Sequence, residues 1–537
     1  MRVEQANLFN NASYRLRNSK KIINKLHDEK YIHIHDKEYS GVTYNCLGIN
    51  FKIKEYSDLS KEEKLELVLE ELFEEIVFLT NEQSGGIGYI NIDSDLAKVF
   101  EDISVEKGIN SIRRLFRKLN LPLRNGYERA YVTFNLGLDT SKGGKKVTEI
   151  FLKALELGDF DTGEPFIFPN IVFKLKRGVN LEKEDKNFDL LKLALIVSGK
   201  RMNPTYFNCD SIYLSNIEGK KLGIMGCRTL LTKNINGENG AINRGNIASI
   251  SINLPKLAIE SKNEEEFFIK LKNICEKSRD ILLERYRELC KLDRENFKFI
   301  IDNQMYLGSE NGEKSLKNIF SNGTLSIGFI GLFDCIAYLK QKKITYKFIK
   351  ENIELGEKIL QFMRELTDKW SKENDLNFSL LASSGEGISG RFAEEDREKE
   401  FYTNSFHIPV YLEINPFEKL EIEARFLKYC NGGEISYIEF PTPVLLNSEA
   451  IFDIIKYGIE LNHIYMGINF PLDYCLECKT TGIFTKEYCN KCGSKNIKRL
   501  RRVSGYLSLK ENLSKGKKVE EQKRIPHLNL GILKRVE

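Results

Sequence analysis

Residues 475–507 read CLECKTTGIFTKEYCNKCGSKNIKRLRRVSGYL. Two Cys-x-x-Cys pairs, Cys475/Cys478 and Cys489/Cys492, stand ten residues apart, and a basic run leads into Arg502-Val503-Ser504-Gly505-Tyr506. Each pair can turn two thiolates toward one point, so two pairs complete a tetrahedral site with metal–sulfur distances of about 2.3 Å. Gly493, directly behind the second pair, helps the turn. All four ligands come from protein, so a metal held there is structural and has no open position for substrate. The donor set favours zinc over an iron–sulfur or redox-dithiol reading. Taken alone, Arg502 to Tyr506 is a turn, with glycine supplying a positive φ.

Composition sets the bounds. The chain has 537 residues, 41% hydrophobic and 30% charged, the profile of a soluble globular protein with room for a large core. A net charge of +5, from 82 basic and 77 acidic residues, does not by itself point to nucleic acid or a membrane surface. The N-terminus has no apolar signal core. The most apolar run, Thr324 to Leu339, is too short to span a bilayer and contains Asp334. A cytoplasmic protein is expected. Eleven cysteines in a reducing compartment argue for metal or radical chemistry over a disulfide framework.

Along the chain, residues 1–30 carry an apolar helical stripe of Leu16, Ile22, Ile23 and Leu26. Tyr31 to Asp36 alternates like a half-buried strand. His33, His35 and Asp36 are weak metal-ligand candidates, because no third histidine lies beside them in sequence. Ser60 and Glu63 predict a capping box for a helix to Gln83, with Leu65, Val68, Leu69, Leu72, Phe73 and Ile76 on its buried face. Gly85, Gly86 and Gly88 lack a phosphate-loop pattern and read as a tight turn. Strands at Tyr131–Leu136 and Ile167–Leu175 alternate with helical stretches such as 147–157, which argues for an α/β architecture. Glu264 to Leu292 is a long amphipathic helix with Cys275 and Cys290 packed in it. Gly323 to Leu339 reads as a strand running into a helix, with Cys335 in the core. Ser383-Ser384-Gly385-Glu386-Gly387 is a small-residue loop whose open N–H groups could cradle a substrate phosphate, or an ordinary solvent loop. Cys227, in Met225-Gly226-Cys227-Arg228-Thr229, would on composition alone be a small buried hydrophobe.

Together these segments resemble the anaerobic (class III) ribonucleotide reductases of the glycyl radical enzyme family. The resemblance runs from His33 to His527. It rests most firmly on the tail with its four cysteines and RVSGY, on MGCRT with Arg244-Gly245-Asn246, and on Tyr402-Thr403-Asn404-Ser405; Tyr44-Asn45-Cys46 and Gly432-Gly433 agree with it. Glu434 departs from the pattern, since the family often has histidine after the glycine pair, and is given no role. The resemblance implies a ten-stranded α/β barrel (residues 1–470, finger loop near 223–230), a zinc knuckle (471–495) and a glycyl radical loop with tail (496–537); many members carry an N-terminal ATP cone, and here none is expected, the catalytic body starting almost at Met1. It implies a radical on Gly505, a thiyl on Cys227, a hydrogen donor in Cys46, a formate site at Asn246 and substrate contacts at Ser383, Ser384 and Gly385.

The resemblance further implies ribonucleotide reduction, with triphosphates the expected substrates and formate favoured over a dithiol protein as reductant. Expected partners are nucleotide effectors, a second copy in a homodimer, and an activating enzyme that uses S-adenosylmethionine and a [4Fe-4S] cluster. No membrane or nucleic-acid partner is expected. An acyltransferase of the same radical class is a rival, weakened because Cys227 has no neighbouring cysteine and because the knuckle is foreign to those enzymes. A zinc-ribbon nucleic-acid binder, suggested by Lys495, Lys498, Arg499, Arg501 and Arg502, is weaker still, since a local basic run is usually a solvated face.

Overall fold

The strand Val132–Leu136 is buried end to end, yet its side chains alternate apolar and polar. In β4 (Val132–Leu136) Val132, Phe134 and Leu136 join the main core while Thr133 and Asn135 hydrogen-bond to a hairpin on the opposite side. This is the pattern of a wall with apolar helices outside and a polar interior. The computed structural model describes residues 21–39, 42–124, 128–214, 216–310, 315–502 and 505–527.

In chain order the other strands are β1 (Ile32–Ile34), β2 (Cys46–Ile49), β3 (Ile87–Tyr89), β5 (Asn170–Leu175), β6 (Thr205–Asn208), a hairpin of β7 (Ile224–Met225) and β8 (Thr229–Leu230), β9 (Arg244–Asn253), β10 (Thr324–Ile330), β11 (Asn377–Ala382), β12 (Ser436–Glu439) and β13 (Tyr465–Asn469). Ten strands follow one path, β11-β10-β9-β2-β3-β4-β5-β6-β13-β12. The short β1 is an eleventh, antiparallel to the distal part of β9. Strands β2 to β6 form one parallel set. Strands β9 to β11 are parallel, as are β12 and β13, and both groups run against the first set at β2/β9 and β6/β13. The two ends of the path meet through backbone: Gly432 N–H donates to Leu380 O at 2.9 Å and Ala382 N–H to Gly433 O at 3.0 Å. The wall thus closes into a mixed barrel around the β7/β8 hairpin.

Helices cover the outside. Ser60 caps Lys61–Glu82 with both halves of the expected capping box, and Leu65, Val68, Leu69, Leu72 and Ile76 are buried. The long helix spans Glu264–Cys290 with Cys275 buried, and Cys335 is buried in Leu332–Lys340. Helix Lys21–Asp28 carries buried Leu26; Leu16 lies outside the described residues. No described helix is long and apolar enough to cross a membrane.

Two readings change. The HIHD run is strand only through Ile34, and Asp36 takes φ +48°. The glycines at 85, 86 and 88 do not make a tight turn: Gly88 is inside β3, and all three are sites of close approach. A Cβ on Gly86 would lie 2.6 Å from Gly226 Cα, and one on Gly88 2.8 Å from Ile224 O. Small residues in the wall make room for the hairpin.

The tail forms its own antiparallel sheet, ordered β15 (Thr481–Gly482), β14 (Leu472–Cys475), β16 (Ile497–Arg502), β17 (Leu507–Leu509). Asp473 on β14 accepts from Arg501 Nη1 at 2.8 Å, and Arg501 Nε donates to Glu521 Oε1 at 2.7 Å. One arginine therefore joins the metal knuckle, the strand leading to Gly505 and the final helix Lys515–Lys523.

Candidate active site and metal knuckle

The hairpin tip carries Cys227. Its rising arm is gripped from β4: Asn135 donates to Ile224 O and Tyr89 O and accepts from Ile224 N–H, and Thr133 Oγ1 donates to Gly226 O at 3.0 Å. Gly226 takes φ +58°, a left-handed conformation that a side chain would strain. The falling arm is held from the other half of the barrel. Arg228, 1% exposed, donates to Ala382 O at 3.1 Å, and Leu230 N–H donates to Gly432 O at 3.1 Å.

Cys46 faces the tip. A Cβ built on Gly226 would lie 3.7 Å from Cys46 Sγ, which accepts from Gly86 N–H at 3.4 Å and donates to Asn45 Oδ1 at 2.9 Å. Burial pushes the Cys46 thiol up to about 12, with the Gly86 amide pulling the other way. Burial also raises Cys227, opposed by the Arg228 charge; its thiol reaches Ser384 Oγ at 3.8 Å. Both sulfurs stay protonated at neutral pH, the form that can give or lose a hydrogen atom.

Gly505 lies on the same tip. A Cβ at Gly505 would come within 2.4 Å of Cys227 Cβ and 2.6 Å of its Cα and O, so the contact exists only because residue 505 has no side chain. Tyr506 stacks on Tyr131 with centroids 5.1 Å apart and packs on Phe168 at 5.2 Å. Arg502, 6% exposed, donates to Gly505 O at 3.2 Å, and its guanidinium lies 5.4 Å over Tyr437. Val503 and Ser504 lie outside the described residues.

Asn246 is in register with Cys46 across β2/β9, and its Nδ2 donates to Ser326 Oγ at 2.6 Å. Ser383 is buried and within 2.6 Å of Ser251 Oγ, which also meets His35 Nε2 at 2.7 Å. Gly385 leaves space for Asn404, whose Oδ1 would sit 1.6 Å from an added Cβ. The SSG loop and the YTNS segment, nineteen residues apart in the chain at Gly385 and Asn404, thus touch. Glu386, in the same loop, is shifted upward by burial and lines a cavity of about 370 Å³ with Tyr131, Phe168, Tyr506 and Lys517. Sequence reasoning did not single out Glu386 or the Tyr131/Phe168 platform; neither carries a local pattern.

The histidine run gathers no metal cluster among the described residues; His33 and His35 pack edge to face at 5.0 Å, and Asp36 accepts from Ser84 Oγ at 3.1 Å. Glu434 is buried in the barrel wall, accepts from Tyr465 N–H at 3.2 Å, and is pushed up to about 8 by burial.

The four tail sulfurs lie within 4.8 Å of one another, with Cys475/Cys492 and Cys478/Cys489 each 3.6 Å apart. A tetrahedron of bonds about 2.3 Å long has edges of about 3.8 Å, so the donors fit zinc. Each pair closes the same turn: Lys479 N–H donates to Cys475 O, Gly493 N–H to Cys489 O, and Lys479 and Gly493 both take positive φ.

A family model described as "Anaerobic ribonucleoside-triphosphate reductase" matches residues 4–527. A protein of that name from Escherichia coli (strain K12) is 29% identical over 576 residues, covering 94% of this chain and 78% of its own. The structure of the anaerobic ribonucleotide reductase from Thermotoga maritima in complex with dATP and CTP superposes with a TM-score of 0.67 at 17% identity, over 96% of this chain and 90% of that one. Hydroxyproline dehydratase from Clostridioides difficile, with its substrate bound, gives 0.65 at 11% identity over 96% and 84%. At these identities the solved structures speak for the fold, which is the α/β barrel that both share.

Proposed function

The chain belongs to the anaerobic ribonucleoside-triphosphate reductase family, and from that premise we propose that it reduces ribonucleoside triphosphates by passing a radical from Gly505 to Cys227 and on to the substrate. The observation that carries this reading is the contact of Gly505 with Cys227 on one side of the hairpin tip and Cys46 on the other.

A glycine Cα radical is planar and shares its spin with the flanking amides, which a side chain would obstruct. Gly505 takes the hydrogen atom of the Cys227 thiol, and the resulting thiyl takes the 3′-hydrogen of the ribonucleotide. The 2′-hydroxyl leaves as water with one added proton. Cys46 supplies a hydrogen atom at the 2′ carbon, and the 3′-hydrogen returns from Cys227. Formate is the reductant we favour, since Asn246 adjoins Cys46 in register. Formate then gives its hydrogen atom to the Cys46 thiyl and its remaining electron, with a proton, to the oxidised 3′ centre, leaving as carbon dioxide. Cys227, having returned the 3′-hydrogen, takes one back from Gly505, so formate plus one proton balances the loss of water. The phosphates are assigned to the Ser383-Ser384-Gly385 loop beside Cys227.

Zinc, where bound, supplies a fixed cross-link; Cys475, Cys478, Cys489 and Cys492 would hold it. Its role is to keep β16 and Gly505 docked. The relative from Thermotoga maritima was solved with dATP and CTP, and we assign nucleotide effectors to this chain also. A radical-generating activating enzyme using S-adenosylmethionine and a [4Fe-4S] cluster, a homodimer and a cytoplasmic setting complete the proposal.

The test is anaerobic activation followed by low-temperature electron paramagnetic resonance and assay of deoxynucleotide from each triphosphate with formate. A glycyl doublet and formate-dependent product are expected. A doublet without deoxynucleotide would move the chain to another radical chemistry.

A further inference from the structure

Lys174 is fully buried on the inward side of β5, and its ammonium meets four oxygens: Ile90 O, Asn91 Oδ1 and Gly219 O at 2.9 Å each, and Leu222 O at 3.1 Å. None is a carboxylate, and among the described residues Lys174 has no ion pair. A buried cation without a counter-ion is expensive unless its donors are all met. Burial pulls this lysine below its usual range, opposed by Cys209 and then by Asp93 and Asp95. Four acceptor oxygens around one nitrogen suit an ammonium with its three N–H donors.

The partners give the shell its meaning. Ile90 and Asn91 directly follow β3, part of the rigid wall. Gly219 and Leu222 belong to the turn that enters β7. Asn91 adds a second tie, donating to Lys220 O at 2.8 Å. Above this level the same arm is held by Asn135 at residue 224 and by Thr133 at residue 226. Lys174 grips the carbonyls of Gly219 and Leu222, Asn135 that of Ile224 and Thr133 that of Gly226, all on one ascending segment, and the next residue is Cys227. The lowest grip carries the only charge of the three.

We propose that Lys174 is a positioning residue for the radical chemistry: its ammonium pins the root of the hairpin and so sets the height of Cys227 against Gly505 and Cys46. This rests on the reading of Cys227 as the hydrogen-atom carrier. Displacement of a reacting group by about 1 Å can lower a rate about a hundredfold. Removing the ammonium takes a donor from four oxygens at the point where the arm leaves the wall, of which Gly219 O keeps the Leu222 N–H.

The test compares wild type, Lys174→Met and Lys174→Arg, each charged with the glycyl radical and normalised to its doublet. Lys174→Met should fold and hold at least half the wild-type radical, yet release 3′ tritium from labelled nucleotide at least tenfold more slowly per radical. Lys174→Arg, which keeps charge and donors, should recover part of that loss. A second readout needs no turnover: alkylation of Cys227 in the unactivated protein, followed by peptide mass, should speed up at least threefold in Lys174→Met. Wild-type rates per radical and unchanged Cys227 alkylation in Lys174→Met would overturn the proposal, as would failure of both variants to fold, which would make the ammonium a folding determinant only. If wild type releases no 3′ tritium, the reductase reading fails instead, and the alkylation result still decides whether Lys174 positions the tip.

Discussion

Arg502 bridges two backbone oxygens: Nη1 donates to Gly505 at 3.2 Å and Nη2 to Met202. Met202 ends helix Phe188–Arg201 in a left-handed conformation, φ +58°, so its carbonyl belongs to the barrel and not to the tail. This side chain, at the end of the strand that leaves the metal knuckle, therefore fastens residue 505 to the wall.

Arg502→Lys should weaken that fastening, because one ammonium does not reproduce a planar fork reaching two carbonyls. Loss of one charge-assisted hydrogen bond is worth about 1.5–3 kcal/mol. The expected outcome is a several-fold lower yield of glycyl radical and faster decay, with the melting of the barrel little changed. An unaltered doublet lifetime would show that the bridge is incidental.

Gly505→Ala should abolish the radical and also undock the loop, because the new methyl meets Cys227 backbone at 2.6 Å, where neither side can yield as a flexible side chain does. Resonance spectra read the first effect and limited proteolysis of the tail reads the second. Exposure of activated wild type to air should cut the chain at residue 505, seen as a short C-terminal fragment beginning at Tyr506. A variant that still shows the doublet refutes the assignment.

Purified protein should contain about one zinc per chain, the stoichiometry of a four-ligand site. Cys489→Ser should lose the metal, leave the barrel folded and prevent radical formation. The route is Asp473 and Arg501, which couple the knuckle to the strand that ends at Arg502. Iron in place of zinc, or full radical yield in the metal-free variant, would contradict this.

Cys227→Ser and Cys46→Ser should fail at different steps. A serine O–H bond is too strong to exchange hydrogen readily with a glycyl radical, so the first variant should keep its doublet and release no 3′ tritium. The second should still exchange 3′ hydrogen while forming no deoxynucleotide. Equal and complete loss of exchange in both, at matched radical content, would remove the division of labour.

Cys46 also predicts a pH effect. Its pKa rises from about 9 to about 12 on folding because burial disfavours the thiolate. Between those values the unfolded chain gives up a proton that the folded one keeps. Stability is therefore undiminished by this group below pH 9 and falls as pH rises through the window, by up to about 1.4 kcal/mol per pH unit. Denaturant midpoints of wild type should drop above pH 9 more steeply than those of Cys46→Ala. Parallel curves would mean that the thiol is not desolvated as its surroundings require.

Some of this was legible in the residues alone. The paired Cys-x-x-Cys spacing specifies a four-sulfur site, because a knuckle is a local turn whose geometry needs no distant partner; the sulfurs indeed meet within 4.8 Å. The capping box at Ser60 and the long helix from Glu264 are equally local, set by hydrogen bonds and periodicity within one segment. What tertiary structure alone decided are the contacts between segments distant in sequence. Gly86 and Gly88 read as a turn because a glycine's own neighbours do not reveal which backbone will pass beside it; that backbone is at Ile224 and Gly226. Nothing local marks Lys174, whose environment is four oxygens from two loops remote in sequence. Cys46, Cys227 and Gly505, hundreds of residues apart at the extremes, share one point only because two parallel half-sheets run in opposite senses and close around a hairpin. Local sequence dictates turns, caps and metal knuckles, whereas long-range packing in a closed barrel determines which residues face one another in its interior.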